Sequence, residues 1–264
     1  MHPLVAFVLI VVFCLTKTYF ITVNQKNFMK VLLTKTSKLF LSAAILLSLV
    51  SATGCDKDDD TPPPAKKYGK IAVLNAAFGA DSINFLIENK KVNNKLIGYS
   101  DSLNYVDIVA GQPSVEIKGK DDKSLVKKTL ETAENKNYSL LVANSTDGKT
   151  FEVVQVNDDL TAPGENKVKI RVVNLSPDVS KLNLVSGTDT KQFENVAYKS
   201  ASAYKELDAQ KITFKITNQD DNAVLATITD LDLIKGKIYT IWVSGLKETT
   251  DNSKKIQANV FTNK

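Results

Sequence analysis

The clearest chemistry in the chain lies at Cys55, which follows Ser51-Ala52-Thr53-Gly54. Small side chains at 52 and 54 let an extended chain enter a peptidase, and the thiol of Cys55 can take a diacylglyceryl group through its sulfur. The only other cysteine, Cys14, lies upstream in an apolar run, so a chain cut before Cys55 has no thiol pair to oxidise. The only histidine is His2. Residues 55–264 therefore exclude Ser-His-Asp triads, histidine metal ligands and histidine acid–base chemistry. Carboxylates are plentiful, among them Asp81, Asp101, Asp107, Asp121-Asp122, Asp158-Asp159 and Asp220-Asp221. Two of them facing across a cleft could hydrolyse a glycoside, but no spacing singles out a pair. No loop carries the oxygen-rich D-x-[DN]-x-[DN]-G pattern of a calcium site, and no glycine-rich loop could cradle a phosphate. The expectation is a non-enzyme with no metal and no cofactor; a glycan-active hydrolase is an alternative.

Tyr99, Tyr105, Tyr198 and Tyr204 are the candidate binding residues. A ring carrying a hydroxyl suits sugars and protein partners, and the competing reading is packed rings with wet tips. Asn75 and Asn174 each end an apolar run, where a short amide can bond its own backbone and close a turn. Ser176-Pro177-Asp178 reads as a turn, and Trp242, inside an alternating run, reads as packing.

Two apolar stretches precede Cys55. The second, Leu39 to Ala52, follows Lys30, Lys35 and Lys38 and has the order of a bacterial export signal: positive segment, apolar segment, small residues at the cut. It is short for a membrane span. The residues around Cys55 resemble a lipobox, with Ala52 where leucine is usual. The alternative is a secretory signal with an incidental cysteine. Met29-Lys30 gives a compact start, which makes 29–54 the lipoprotein signal peptide and 1–28 a mis-assigned upstream extension; a signal anchor at 4–22 is the other reading. The net charge of +5 belongs to this region. Residues 1–54 hold five lysines and no acid, and the remaining 29 basic residues equal the 29 acidic ones. A nucleic-acid surface would keep a basic footprint on the body, so no nucleic-acid partner is expected.

Residues 55–67 read as a lipidated cysteine on an acidic and proline-rich tether, with Asp58-Asp59-Asp60 and Pro62-Pro63-Pro64 too polar and stiff to join a core. Lys57-Asp58-Asp59 resembles the surface-export signal found just after the lipidated cysteine in lipoproteins of the Bacteroidetes group. That resemblance implies an outer-membrane lipid anchor displayed on the cell surface; the periplasmic face of the membrane is the alternative.

The rest of the chain repeats once. Lys70-Ile71-Ala72-Val73-Leu74-Asn75 matches Lys169-Ile170-Arg171-Val172-Val173-Asn174, an offset of 99 that also aligns Tyr99 with Tyr198 and Tyr105 with Tyr204. Tyr138-Ser139-Leu140-Leu141-Val142 then matches Tyr239-Thr240-Ile241-Trp242-Val243 after a gain of two residues. The join falls in Asn157-Asp158-Asp159 through Asn166, a polar stretch containing Pro163-Gly164. Both halves alternate with period two and are punctuated by Gly, Asn and Asp, the pattern of strands. The predicted fold is all-β, two tandem immunoglobulin-like antiparallel β-sandwich domains at 68–159 and 167–264, each with its own core.

The run Val168 to Asp178, with alternating valines, Arg171, Asn174 and Ser176-Pro177-Asp178, resembles the opening of the bacterial domain of unknown function 4397. The first half looks like a diverged copy: Asn75 is kept, but Ala77-Phe78-Gly79 stands where Ser-Pro-Asp would be. The resemblance implies a secreted or surface β-sandwich and no activity, catalytic residue or ligand. The functional expectation is a lipid-anchored, non-catalytic envelope protein acting as a binding or spacer module. Its partners are the membrane, through Cys55, and a glycan or envelope protein. A subunit or accessory protein of an outer-membrane complex is the alternative.

Overall fold

The structure is a computed structural model that describes residues 65–187 and 189–264. Cys55, Lys57, Asp58, Asp59 and the segments 1–28 and 29–54 lie outside the described residues. The described residues are all-β, two tandem β-sandwich-like domains, with one short 3-10 turn at Asn252–Lys254.

The first sandwich comprises β1 (Tyr68–Asn75), β2 (Ser82–Ile87), β3 (Lys90–Lys91), β4 (Ile97–Gly98), β5 (Ser102–Val109), β6 (Ser114–Gly119), β7 (Ser124–Thr129), β8 (Asn137–Asn144) and β9 (Phe151–Asp158). The second comprises β10 (Lys167–Leu175), β11 (Lys181–Ser186), β12 (Thr190–Ala197), β13 (Ser200–Ala201), β14 (Lys205–Asp208), β15 (Lys211–Asn218), β16 (Val224–Asp232), β17 (Ile238–Ser244) and β18 (Gln257–Thr262). Each sandwich has an inner sheet, ordered β5-β1-β8-β9 or β13-β10-β17-β18 with β14 also on β10. Each has an outer sheet, ordered β3-β2-β6-β7 with β4 also on β2, or β12-β11-β15-β16.

The strand order corrects the purely antiparallel immunoglobulin-like expectation. β1 pairs with β8 in parallel, with Val73 opposite Leu140, and β10 pairs with β17 in parallel, with Val172 opposite Ile241. Parallel partners need a long connection, and here the chain between them passes through the outer sheet. Period-two alternation looks the same in either orientation, so the sequence pattern alone leaves this undecided.

Each sandwich has a core of its own, and the two share a third apolar layer. In β8 and β17 every residue but Asn137 is buried, so both faces of these strands are covered. One face of each inner sheet meets its own outer sheet: Ile71, Val73, Leu140 and Val142 pack with Phe85 and Ile117. Ile170, Val172, Ile241 and Val243 pack likewise with Leu184 and Phe214. The opposite faces meet each other. Ala72, Leu74, Leu141 and Ala143 of the first sandwich form one apolar layer with Val173, Leu175, Trp242 and Phe261 of the second. The body is a four-sheet stack with three apolar layers, and the middle layer is the seam between the repeats. Asn157 and Asp158, read from the sequence as part of the polar join, instead complete β9, and Asp158 is buried.

The repeats run the same way along the seam. Tyr68 enters β1 at one end, here called the base, where Lys167 opens β10 and Thr262 ends β18 opposite Tyr239. Asn75, Asn144, Leu175 and Ser244 end their strands at the other end, the tip.

Candidate functional site

The polar residues of the seam form a continuous network at the base. Arg171 sits on the seam face of β10, where the first repeat has Ala72 at the equivalent position. Its guanidinium is ion-paired with Asp158 of the first sandwich and donates to the Asn157 carbonyl at 2.8 Å and to Thr240 Oγ1 at 2.9 Å. Asp158 accepts from Ser139 Oγ at 2.8 Å and from the Tyr105 hydroxyl. Asn263 Nδ2 donates to the Tyr105 hydroxyl at 2.8 Å, and Asn263 Oδ1 accepts from Thr240 Oγ1 at 2.7 Å. Asp158 and Asn263 are structural counterparts: each lies two residues past the residue opposite Ser139 or Thr240. Arg171 is 1% exposed, so the centre of the network is desolvated and its donors and acceptors are paired with one another.

The four tyrosines lie along the same seam, each half-buried. Tyr105 belongs to the network; burial first, and the Asp158 carboxylate next, hold its phenol well above the ordinary value. The Tyr204 ring lies under Arg171, 4.8 Å from the guanidinium carbon, and burial pushes its phenol up to about 12 against the opposing pull of Arg171. At the tip the repeats exchange hydrogen bonds: the Tyr99 hydroxyl lies 3.3 Å from Ser244 Oγ, and the Tyr198 hydroxyl donates to the Asn144 carbonyl at 2.7 Å. Burial, then the Glu152 carboxylate, push Tyr198 up to about 12, and burial also raises Tyr99. Tyr99, Tyr105 and Tyr198 thus link the sandwiches, whereas Tyr204 supports Arg171 within the second.

Asn75 and Asn174 do the same job in both repeats. Asn75 Nδ2 donates to the carbonyls of Ala80 (2.8 Å) and Ile97 (3.2 Å), and its Oδ1 accepts from Ala77 N. Asn174 Nδ2 donates to the carbonyls of Val179 (3.0 Å) and Val196 (3.1 Å), and its Oδ1 accepts from Ser176 N. Each is an Asx turn whose amide also clamps two loops, and each shapes the tip.

Open space lies at both ends of the seam. At the base a groove of about 760 Å³ runs beside Asn135, Asn137, Asp159, Thr161 and Tyr204. Lys169 Nζ donates to Asp159 at 2.7 Å, Thr161 donates to it through Oγ1 at 2.7 Å and through its amide at 3.0 Å, and these bonds, that from Lys169 foremost, hold the Asp159 carboxyl down at about 2. At the tip a cleft of about 370 Å³ takes walls from both sandwiches, with Gly79, Asn144 and Thr146 on one side and Pro177, Asp178 and Leu246 on the other. Among the described residues no group of three or more His, Cys, Asp or Glu side chains converges. No linear pattern singles out Asp158 and Arg171 as a pair, because nothing in one shows that the two inner sheets face each other.

No curated protein matches the chain. A family 26 carbohydrate-binding module from Eubacterium rectale Amy13K, solved with maltoheptaose, is 12% identical over 70% of this chain and 100% of that one, at a TM-score of 0.25. A streptococcal virulence factor solved for α-glucan binding is 15% identical over 73% of this chain and 97% of that one, at a TM-score of 0.23. Superpositions this loose bear on neither fold nor ligand. The family model described as "Domain of unknown function (DUF4397)" matches residues 69–185, which takes in the first sandwich, with its Ala77-Phe78-Gly79 turn, and β10 and all but the last residue of β11. One β domain of that family therefore lies within residues 69–185, and a second, structurally similar β-sandwich completes the body.

Proposed function

We propose that this chain is a lipid-anchored, non-catalytic module of the bacterial cell envelope that carries a rigid double sandwich on a short tether and presents its tip for binding. The observation that carries the reading is the separation of the two ends. Tyr68, which continues from the tether, enters at the base, and the turns after β1, β8, β10 and β17 gather at the tip. Cys55 supplies the anchor, and Lys57, Asp58 and Asp59 direct the body to the outer face of the outer membrane. The multiple acyl chains of a bacterial lipoprotein cysteine hold far more firmly than a single chain. The non-catalytic reading is supported by how the carboxylates at the two ends are used. Asp158, the one buried carboxylate among the described residues, is taken up by Arg171, Ser139 and Tyr105. Asp178 at the tip accepts the backbone amides of Lys247 and Glu248.

Replacing Cys55 with Ser tests the anchor: acylation should vanish and the protein should leave the membrane fraction. Unchanged retention of the Cys55→Ser chain would sink the reading. Protease treatment of intact cells should cleave the body. Cleavage in lysates alone would put the body on the periplasmic face.

A further inference from the structure

The repeats diverge in a turn of the tip, where Ala77-Phe78-Gly79 stands for Ser176-Pro177-Asp178, and the change at its last position leaves a space. In the second sandwich Asp178 fills the region between two turns: its carboxylate accepts from Lys247 N (2.9 Å), Glu248 N (3.0 Å) and Ser176 Oγ (3.1 Å), and Ser176 Oγ also donates to the Gly245 carbonyl at 2.8 Å. The equivalent of Asp178 in the first sandwich is Gly79, at φ +82°, and a Cβ placed on it would meet nothing within 4 Å. The turn it would have held closes on itself instead: Ser145 Oγ donates to the Thr150 carbonyl at 3.1 Å, and Asp147 accepts from Lys149 N at 3.0 Å. The tip cleft of about 370 Å³ occupies the space so left.

Its walls are mixed. Phe151, Pro177 and Leu246 supply half-buried apolar surface. Thr146 and Lys149 are exposed at the rim. Asn144 is 2% exposed and donates its amide to the Phe78 carbonyl at 3.0 Å, while its Oδ1 has no hydrogen-bond partner. The charges of the walls cancel, Lys149 and Lys254 against Asp147 and Asp178, and both carboxylates already hold backbone donors.

We infer that this tip cleft is a binding site for a neutral saccharide of one or two rings, formed where glycine at position 79 replaces the aspartate of the other repeat. The inference rests on the binding-module reading above and names its ligand class. The volume is at the small end of ligand pockets. A sugar ring offers a C–H face to Phe151, Pro177 and Leu246 and hydroxyls to Thr146 and Lys149 at the rim. A uronic acid would gain nothing from walls whose charges balance.

The test uses the detergent-solubilised full chain and a panel of neutral gluco-, galacto- and manno-oligosaccharides, with uronic-acid oligosaccharides of the same length beside them. At least one neutral member should bind by calorimetry. Gly79→Asn keeps a residue that tolerates positive φ and puts an amide in the cleft. Thr146→Arg crowds the rim from an exposed position. Each should weaken binding by about tenfold or more, ~1.4 kcal/mol, with an unchanged melting temperature. Lys136→Glu, beside the base groove, should leave the affinity as it was. The site is overturned if no neutral saccharide binds, if only the uronic acids bind, or if Lys136→Glu abolishes binding while both tip variants keep it. None of these results touches the anchored-module reading, which stands or falls on the Cys55→Ser fractionation.

Discussion

The guanidinium of Arg171, on the inner sheet of the second sandwich, is ion-paired with the carboxylate of Asp158, on the inner sheet of the first, and the two side chains are 2% and 0% exposed. A pair buried this deeply is strongly destabilising to break from one side, because the other charge is left without water or partner. The cost is about 3–5 kcal/mol. Arg171→Ala and Asp158→Ala should each lose that much in urea unfolding. The double variant should lose clearly less than the two added together, since no lone charge remains. Simple additivity would mean that the pair is not closed to solvent.

The seam also decides what happens when the repeats are separated. Residues 68–159 alone would expose Ala72, Leu74, Leu141 and Ala143, and residues 167–264 alone would expose Val173, Leu175, Trp242 and Phe261. Faces of this kind aggregate or find a partner. Each half expressed by itself should be insoluble or self-associated by sedimentation, and the two mixed should reconstitute a one-to-one complex. Two monomeric, cooperatively folded halves would show that the apolar layer contributes little.

Asn75 and Asn174 should be equally intolerant of change. Alanine at either strands two buried loop carbonyls, those of Ala80 and Ile97 or of Val179 and Val196. The expected loss is about 1–3 kcal/mol at each site, read by chemical denaturation. Aspartate should do no better, because it cannot donate to those carbonyls.

Alkaline conditions should open the seam. The phenols of Tyr99, Tyr105, Tyr198 and Tyr204 all have pKa values above the ordinary 10.0, so the folded state favours their protonated form. That stabilisation is complete below pH 10 and is lost as pH rises through the folded values, about 12 for Tyr198 and Tyr204. Stability should therefore fall between pH 10 and 12, with part of the tyrosinate absorbance appearing only as the fold is lost. A flat stability across this window, with every tyrosine already ionised, would contradict the packing.

The strands, the repeat and the turns at Asn75 and Asn174 were legible in the sequence because each rests on local chemistry: alternation, a fixed offset, an amide bonding to its own backbone. The orientation of β1 against β8 was not, since alternation is blind to strand direction. Nor was the seam. The apolar run Ile71 to Leu74 supports a strand covered on one face or on both, and only the partner sheet decides. Arg171 and Asp158, both ordinary surface types, are buried because they meet each other. The four tyrosines fell between, since a ring with a hydroxyl serves a binding face or a joint, and their half-buried places along the seam are set by the second sandwich.

β1 follows directly on the tether, and it is an interior strand, bonded along one edge to β5 and along the other to β8. A pull transmitted through the N-terminal segment acts along the length of that strand. Both ladders then resist in shear, many bonds at once, where an edge strand pulled crosswise would unzip one bond at a time. The element that meets the N-terminal segment is thus held along both edges, and a load applied there is shared among many bonds.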